Sequence, residues 1–192
     1  KGRQKMTRLS IVIPARNEAD NIVGLVEDID HALADHAPFE IIVVDDGSTD
    51  DQVARLRARS LTMPHLRVVR HDRSGGQSAA VHSGVHAARA PIICTLDGDG
   101  QNPPEELPKL AAPLLGDTTG KIGLVAGQRV GRQDTWSKKW ASKFANGLRG
   151  WLLQDGTRDT GCGLKAFRRD AFLDMPYFDH MHRYLPALFT RD

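Results

Sequence analysis

The stretch "FEIIVVDD", residues 39–46, decides the fold. An uninterrupted apolar run, Ile41 to Val44, stops on two aspartates, which predicts a strand of the kind buried in a parallel sheet under helices. The same punctuation recurs on both sides. Upstream, Leu9 to Pro14 predicts a strand and Glu18 to about Asp35 a helix with Ile22, Leu25, Val26, Ile29 and Leu33 on one face. Downstream follow a short helix from Asp50 to Ser60, a strand in "LRVVRH", a small-residue helix in "GGQSAAVHSGVHAAR" and a strand in "PIICTLD". A helix in "PPEELPKLAAPLL", begun by proline in its first turn, precedes a fifth strand in "IGLVAGQR". This alternation predicts an α/β fold, a mostly parallel sheet flanked by helices on both faces. After residue 131 the pattern changes to a polar loop, an aromatic-rich helix, a turn-rich "DGTRDTGCG", a strand through Lys165 and Phe167, and further helices.

The chain has 192 residues, 40% hydrophobic and 26% charged, which suits one globular domain over residues 1–192 and excludes intrinsic disorder. Its apolar runs are far shorter than the roughly 20 residues a membrane-crossing helix requires. The basic "KGRQKM" is followed by no apolar run of signal-peptide type. Cys94 and Cys162, the two cysteines, stand in no metal or redox spacing, so a reducing, cytosolic setting is expected. A net charge of +2 is compatible with an anionic substrate or a lipid surface and decides neither.

Ligands of such sheets bind beyond the carboxyl ends of the strands. Here those ends read "PARNE", "DDGSTD", "HDRSGG", "DGDGQN" and "QRVGR". Asp97 and Asp99 lie two apart, on the same side of an extended chain, and can grip one hard cation such as Mg²⁺ or Mn²⁺, with Gln101 as a third oxygen donor. Two or three protein ligands leave positions open for substrate phosphates. An EF-hand loop beginning at Asp97 fails, because its sixth position is Asn102 and its twelfth Pro108. A phosphatase loop with an aspartyl nucleophile is disfavoured by its place after the fourth strand. A dinucleotide fold is disfavoured because no G-x-G-x-x-G follows the first strand. His82 and His86, four apart on a helix, can bind zinc but show no third ligand, so structural or surface roles are favoured.

The ordered set "IVIPARNEADNI", "EIIVVDDGSTDD", "RSGGQSAAVHSGVHAA", "LDGDGQNPPEEL" and "GQRVGR" resembles glycosyltransferase family 2, nucleotide-sugar-dependent enzymes of GT-A fold. The later "DTGCGLKAFRRDAF" and "HRYLPAL" resemble its polyprenyl-phosphate branch, which includes dolichol-phosphate mannosyltransferase. The likeness runs from Leu9 to Leu188. It implies a metal-dependent, inverting transfer from a UDP- or GDP-linked sugar to a polyprenyl phosphate. A family 2 enzyme with a saccharide acceptor is the alternative, and a non-catalytic nucleotide-binding module a third.

The resemblance also implies roles. Pro14, Arg16, Asn17, Glu18, Asp45, Asp46, Gly76, Gln77, Asp97 and Gly98 correspond to nucleotide-binding positions, although Asn17 is equally read as a helix N-cap and Asp45 as a residue that orients its loop. Asp97, Asp99 and Gln101 correspond to the metal-binding D-x-D segment. Arg129 and Arg132 would face the diphosphate or the acceptor phosphate, a task suited to guanidinium geometry. Asp97, Asp99 and Arg129 form the implied catalytic set. His182 and Arg183 match a segment that can touch substrate.

Three departures stand out. Lys143 occupies a position where the branch often has arginine. The "DPTSG"-like turn is here "DTGCG", with Asp159 kept and Gly161 and Cys162 in place of threonine and serine. "DGDG" replaces "DADL", which points to a bacterial relative with a different sugar. Trp136, Trp140, Phe144, Leu148, Trp151 and Leu152 fall within an arc of about 120° of an ideal helix, with Lys139 and Lys143 beside it. Such a stripe is either core or an interfacial helix lying on lipid. The expected location is cytoplasmic, peripheral at the inner face of the cell membrane, with no nucleic acid among the partners and a homo-oligomer left open. The resemblance further implies C-terminal sequence beyond "LFTRD".

Overall fold

The computed structural model describes residues 6–36, 38–127 and 163–189. Arg129, Arg132, Lys143, the Trp136–Leu152 stripe, Asp159, Gly161 and Cys162 lie outside the described residues.

Six strands, β1 (Leu9–Ala15), β2 (Phe39–Asp45), β3 (Leu66–Arg70), β4 (Ile92–Thr95), β5 (Leu124–Ala126) and β6 (Lys165–Arg168), form one sheet in the order β3-β2-β1-β4-β6-β5. The first four run parallel, and β6 pairs antiparallel with both β4 and β5. The mostly parallel α/β sheet is therefore as the alternation predicts. That a strand from beyond residue 160 inserts between β4 and β5 is set by long-range pairing and left no local trace.

The helices are α1 (Ile22–Leu33), α2 (Gln52–Ser60), α3 (Gln77–Ala87), α4 (Leu107–Gly116, entered through a 3-10 turn at Pro104–Glu106), α5 (Arg169–Leu173) and α6 (Met181–Leu188). Side chains alternate along each strand, so the sheet has two cores. Leu9, Ile11 and Ile13 of β1 join Ile41 and Val43 of β2 and the buried faces of α1 and α4. Val12, Ile42 and Val44 point the other way, onto Ala80, Val81 and Val85 of α3 and onto Phe172, Met181 and Leu185. The five apolar residues expected on one face of α1 are all buried. Burying each such side chain contributes about 1.5–3 kcal/mol relative to leaving it exposed.

The helix begins at Ile22, four residues later than Glu18. The Glu18 and Ala19 backbone N–H groups are drawn instead to Gln52 Oε1 (2.9 Å) and Asp50 Oδ2 (3.0 Å) in the β2–α2 segment.

Two features set the sheet's tolerance. At Gly84, α3 rides so close to the sheet that a Cβ would overlap Val12 Cγ1 and lie 3.1 Å from Val44 Cγ2. At the opposite end of the strands from the acidic loops, buried Glu40 accepts hydrogen bonds from Ser10 Oγ (2.7 Å), the Arg89 N–H (2.7 Å) and Arg67 (2.9 Å). Burial pushes the Glu40 carboxyl up, but the Arg89 N–H, the Ser10 hydroxyl and the Arg67 guanidinium outweigh it and hold it below its ordinary value.

Gly84→Val will destabilise the fold by about 1–3 kcal/mol through overpacking, measurable by urea unfolding. Because its folded pKa is depressed, Glu40 contributes stability above its unfolded value of about 4.3, and that contribution disappears as pH falls through the folded value. Glu40→Gln will flatten this acid limb of a stability-versus-pH curve.

Candidate functional site

The strand-end loops are tied to one another by side chains. Asn17, at φ 57°, accepts through Oδ1 from the Thr49 N–H at 2.8 Å, and its own N–H donates to Ser48 Oγ at 2.9 Å. A short polar side chain tolerates this left-handed conformation. Asn17 thus bridges the loops after β1 and β2; the N-cap position of α1 belongs to Asn21.

The two aspartates ending β2 point to opposite faces. Asp45 is fully buried, and its Oδ1 accepts from Gln52 Nε2 at 2.5 Å, with Arg70 Nε 3.6 Å from its Oδ2. Asp46 gathers the loop after β3. Its carboxylate accepts from Ser74 Oγ (2.6 Å), the Gly75 N–H (2.8 Å), the Gly76 N–H (2.9 Å) and His71 Nδ1 (2.8 Å). Burial raises its pKa, and these donors, Ser74 foremost, lower it further than burial raises it. It is a carboxylate at neutral pH, and its donors order the segment that leads into α3.

Beyond β4, Gly98 packs against β1: a Cβ there would stand 3.0 Å from both Ala15 Cβ and the Pro14 carbonyl oxygen. This close approach brings the aspartates on either side of Gly98 to the end of β1. Asp97 Oδ1 accepts from Gln77 Nε2 at 2.7 Å, and Asn102 Nδ2 lies 3.5 Å from Oδ2. Asp99 is exposed and accepts from the Gln101 N–H at 3.1 Å. Among the described residues no three His, Cys, Asp or Glu side chains gather, so the acidic centre is this pair.

A cleft of about 450 Å³ opens where β2 and β4 depart to either side of β1, lined by Pro14, Arg16, Glu18, Asp46, Gly76, Gln77, Asp97, Gly98 and Asp99. Sequence reasoning named all nine. It also named Asn17, Asp45 and Gln101, which stand outside the wall. It missed Ala15, Ser74 and Ala80, which complete the lining. Ser74 was legible as a residue just past a strand; Ala80 has no chemical signature. His82, half-buried, packs against His86 and Tyr177 at ring distances of 4.5 and 4.9 Å.

Such a cleft, acidic and glycine-lined at a switch point of a parallel sheet, is a place for a phosphate-bearing ligand and its cation. Residues 10–175 match glycosyl transferase family 2. Similar proteins include the dodecaprenyl-phosphate galacturonate synthase of Rhizobium johnstonii, 35% identical over 93% of this chain and 53% of that protein. The undecaprenyl-phosphate 4-deoxy-4-formamido-L-arabinose transferase of Proteus mirabilis is 33% identical over 96% of this chain and 56% of its own length. The chain spans about half the length of the curated relatives it matches. Among solved structures, glucosyl-3-phosphoglycerate synthase from Mycobacterium tuberculosis, in complex with Mn²⁺, UDP-glucose and glycerol 3-phosphate, superposes with a TM-score of 0.68 at 26% identity, over 89% of this chain and 60% of that one. A mannosyltransferase from Pyrobaculum calidifontis, in complex with GDP-mannose and Mn²⁺, shares the fold with a TM-score of 0.64 at 24% identity, over 88% of this chain and 47% of that one. On the family match and the shared fold, the chain belongs to glycosyl transferase family 2, with the GT-A fold.

Proposed function

We propose that this protein transfers a sugar from a UDP- or GDP-linked donor to a polyprenyl phosphate, with inversion, at the inner face of the cell membrane. The observation that carries the reading is the cleft at the end of β1, between the segments that follow β2 and β4, walled in part by Asp97 and Asp99. The named activities of the two bacterial relatives support the lipid-phosphate acceptor. Among the described residues no helix is long and apolar enough to cross a membrane.

The donor set fits a hard divalent cation, Mg²⁺ or Mn²⁺: two carboxylates, one of them oriented by the Gln77 amide. When bound, such an ion neutralises the diphosphate as it departs. The protein's own residues do the rest. Arg16, Glu18 and the Pro14–Ala15 backbone form the wall for the nucleoside, where the Glu18 carboxylate accepts from base or ribose. Asp46 holds Ser74 to Gly76 so that main chain, without bulky side chains, faces the ligand. Asn17 and Asp45 stand behind the wall and brace the loops. Gln101 serves as an outlying oxygen donor to the metal site. Arg129, Arg132 and Lys143 supply positive charge to the diphosphate and the acceptor phosphate.

A polyprenyl phosphate is anionic at neutral pH, so attack on the anomeric carbon proceeds without a strong general base. The new C–O bond to the acceptor forms as the bond to the diphosphate breaks, on the opposite face of the sugar. Cys94 takes no part: burial pushes its thiol up to about 12, where it is inert as a nucleophile.

Calorimetric titration with UDP and GDP will show one of them binding, at least about 10-fold more tightly with Mn²⁺ than without. Absence of binding in folded protein would overturn the reading. Asp99→Ala will cut transfer to a short polyprenyl phosphate by roughly 100-fold or more while leaving Tm within error. Equal transfer to a lipid-free saccharide would shift the assignment to the other acceptor class.

A further inference from the structure

Ser78 and His182 are 104 residues apart in sequence and meet between α3 and α6. Ser78 is 4% exposed, and its Oγ lies 2.6 Å from His182 Nδ1. The His182 backbone N–H also reaches that oxygen, at 3.4 Å. In the tautomer with the ring proton on Nε2, the Ser78 hydroxyl donates to Nδ1 while its Oγ accepts from the backbone N–H. Burial, and then the charges of Arg183, Lys165 and His180, hold the ring pKa down to about 4, so the imidazole is neutral, with one ring nitrogen able to accept.

The residue before Ser78 is Gln77, whose amide lies 2.7 Å from Asp97 Oδ1. The residues before Gln77 are Gly75 and Gly76, both held through their N–H groups by Asp46. One side of the α3 entry is thereby tied to β2. The other is tied to α6 by the hydrogen bond between Ser78 and His182.

We propose that His182 is a positioning residue, which acts through Ser78 to seat the first turn of α3 and so holds the Gln77 amide on Asp97. For its catalytic meaning this rests on the donor-site reading above. A second carboxylate partner orients the ligating oxygen and sets its basicity, and loss of such partners in metal sites costs about 10–100-fold in metal affinity or activity. His182 stands one step further back. Its loss will therefore fall on the donor side, raising the donor KM by about 10-fold while changing kcat by less than about 2-fold.

The test begins in the free protein, with the Gln77 side-chain amide followed by NMR. In His182→Ala and in Ser78→Ala the resonance will shift and its hydrogens will exchange faster. In His182→Asn, whose Oδ1 can accept from the Ser78 hydroxyl, both properties will return toward wild type. An unmoved Gln77 amide in the two alanine variants would overturn the proposal, as would failure of asparagine to restore it in a folded protein. The donor KM of the same three variants should follow the same order; a KM that ignores it also overturns the proposal. If the wild-type protein binds no nucleotide at all, the donor-site reading falls, and the amide measurement still decides whether His182 seats Gln77.

Discussion

Everything in the site depends on β1 being hydrogen-bonded along both edges by parallel neighbours, β2 on one side and β4 on the other. Parallel pairing sends the carboxyl ends of all three strands to the same edge of the sheet. Two-sided pairing splits the chain there, since the connection after β2 and the connection after β4 leave on opposite sides of β1. The gap between them is the cleft. Its acidic wall approaches closely because Gly98 lets the end of β4 lie against Pro14 and Ala15.

Neighbouring carboxylates are given different work by strand geometry. Successive residues of a strand face opposite sides, so Asp45 turns into the side where α2 offers Gln52 and Asp46 turns toward the loop that enters α3. Asp45 has no exposed surface, and its Oδ2 accepts no hydrogen bond from the described residues, with the Arg70 guanidinium 3.6 Å away as compensation. A buried carboxylate with one oxygen unsatisfied is costly, and the adjacent cation offsets part of that cost. Asp46 is the contrary case, with donors on both oxygens. Its loop therefore forms one body with the sheet rather than a free flap.

The same principle extends across α3. Its first turn lies between Asp46 on the β2 side and His182 on the α6 side, and its Gln77 reaches Asp97. The end of β4 is thus braced by a helix that is itself braced by the last described helix of the chain. The second core, which joins Val12, Ile42 and Val44 to α3 and to Phe172, Met181 and Leu185, provides the apolar support under that brace.

Local sequence determined the βα alternation, because burial on both faces demands unbroken apolar strands and one-sided burial demands the Ile22–Leu33 periodicity of α1. The rule that a parallel sheet places whatever follows its strands along a single edge, taken with the family resemblance, named nine of the residues that line the cleft. Local sequence did not locate the start of α1, which tertiary hydrogen bonds to Gln52 and Asp50 delay to Ile22. Nor did it show β6 between β4 and β5, or the meeting of Ser78 with His182, since pairing across roughly 70 to 100 residues follows from how the layers close rather than from any local period. Residue types and their order settled what chemistry is available at the carboxyl edge. Which carboxylate faces the cleft and which braces the loop was decided by the packing of helices on the two faces, because only a folded sheet gives adjacent side chains different surroundings.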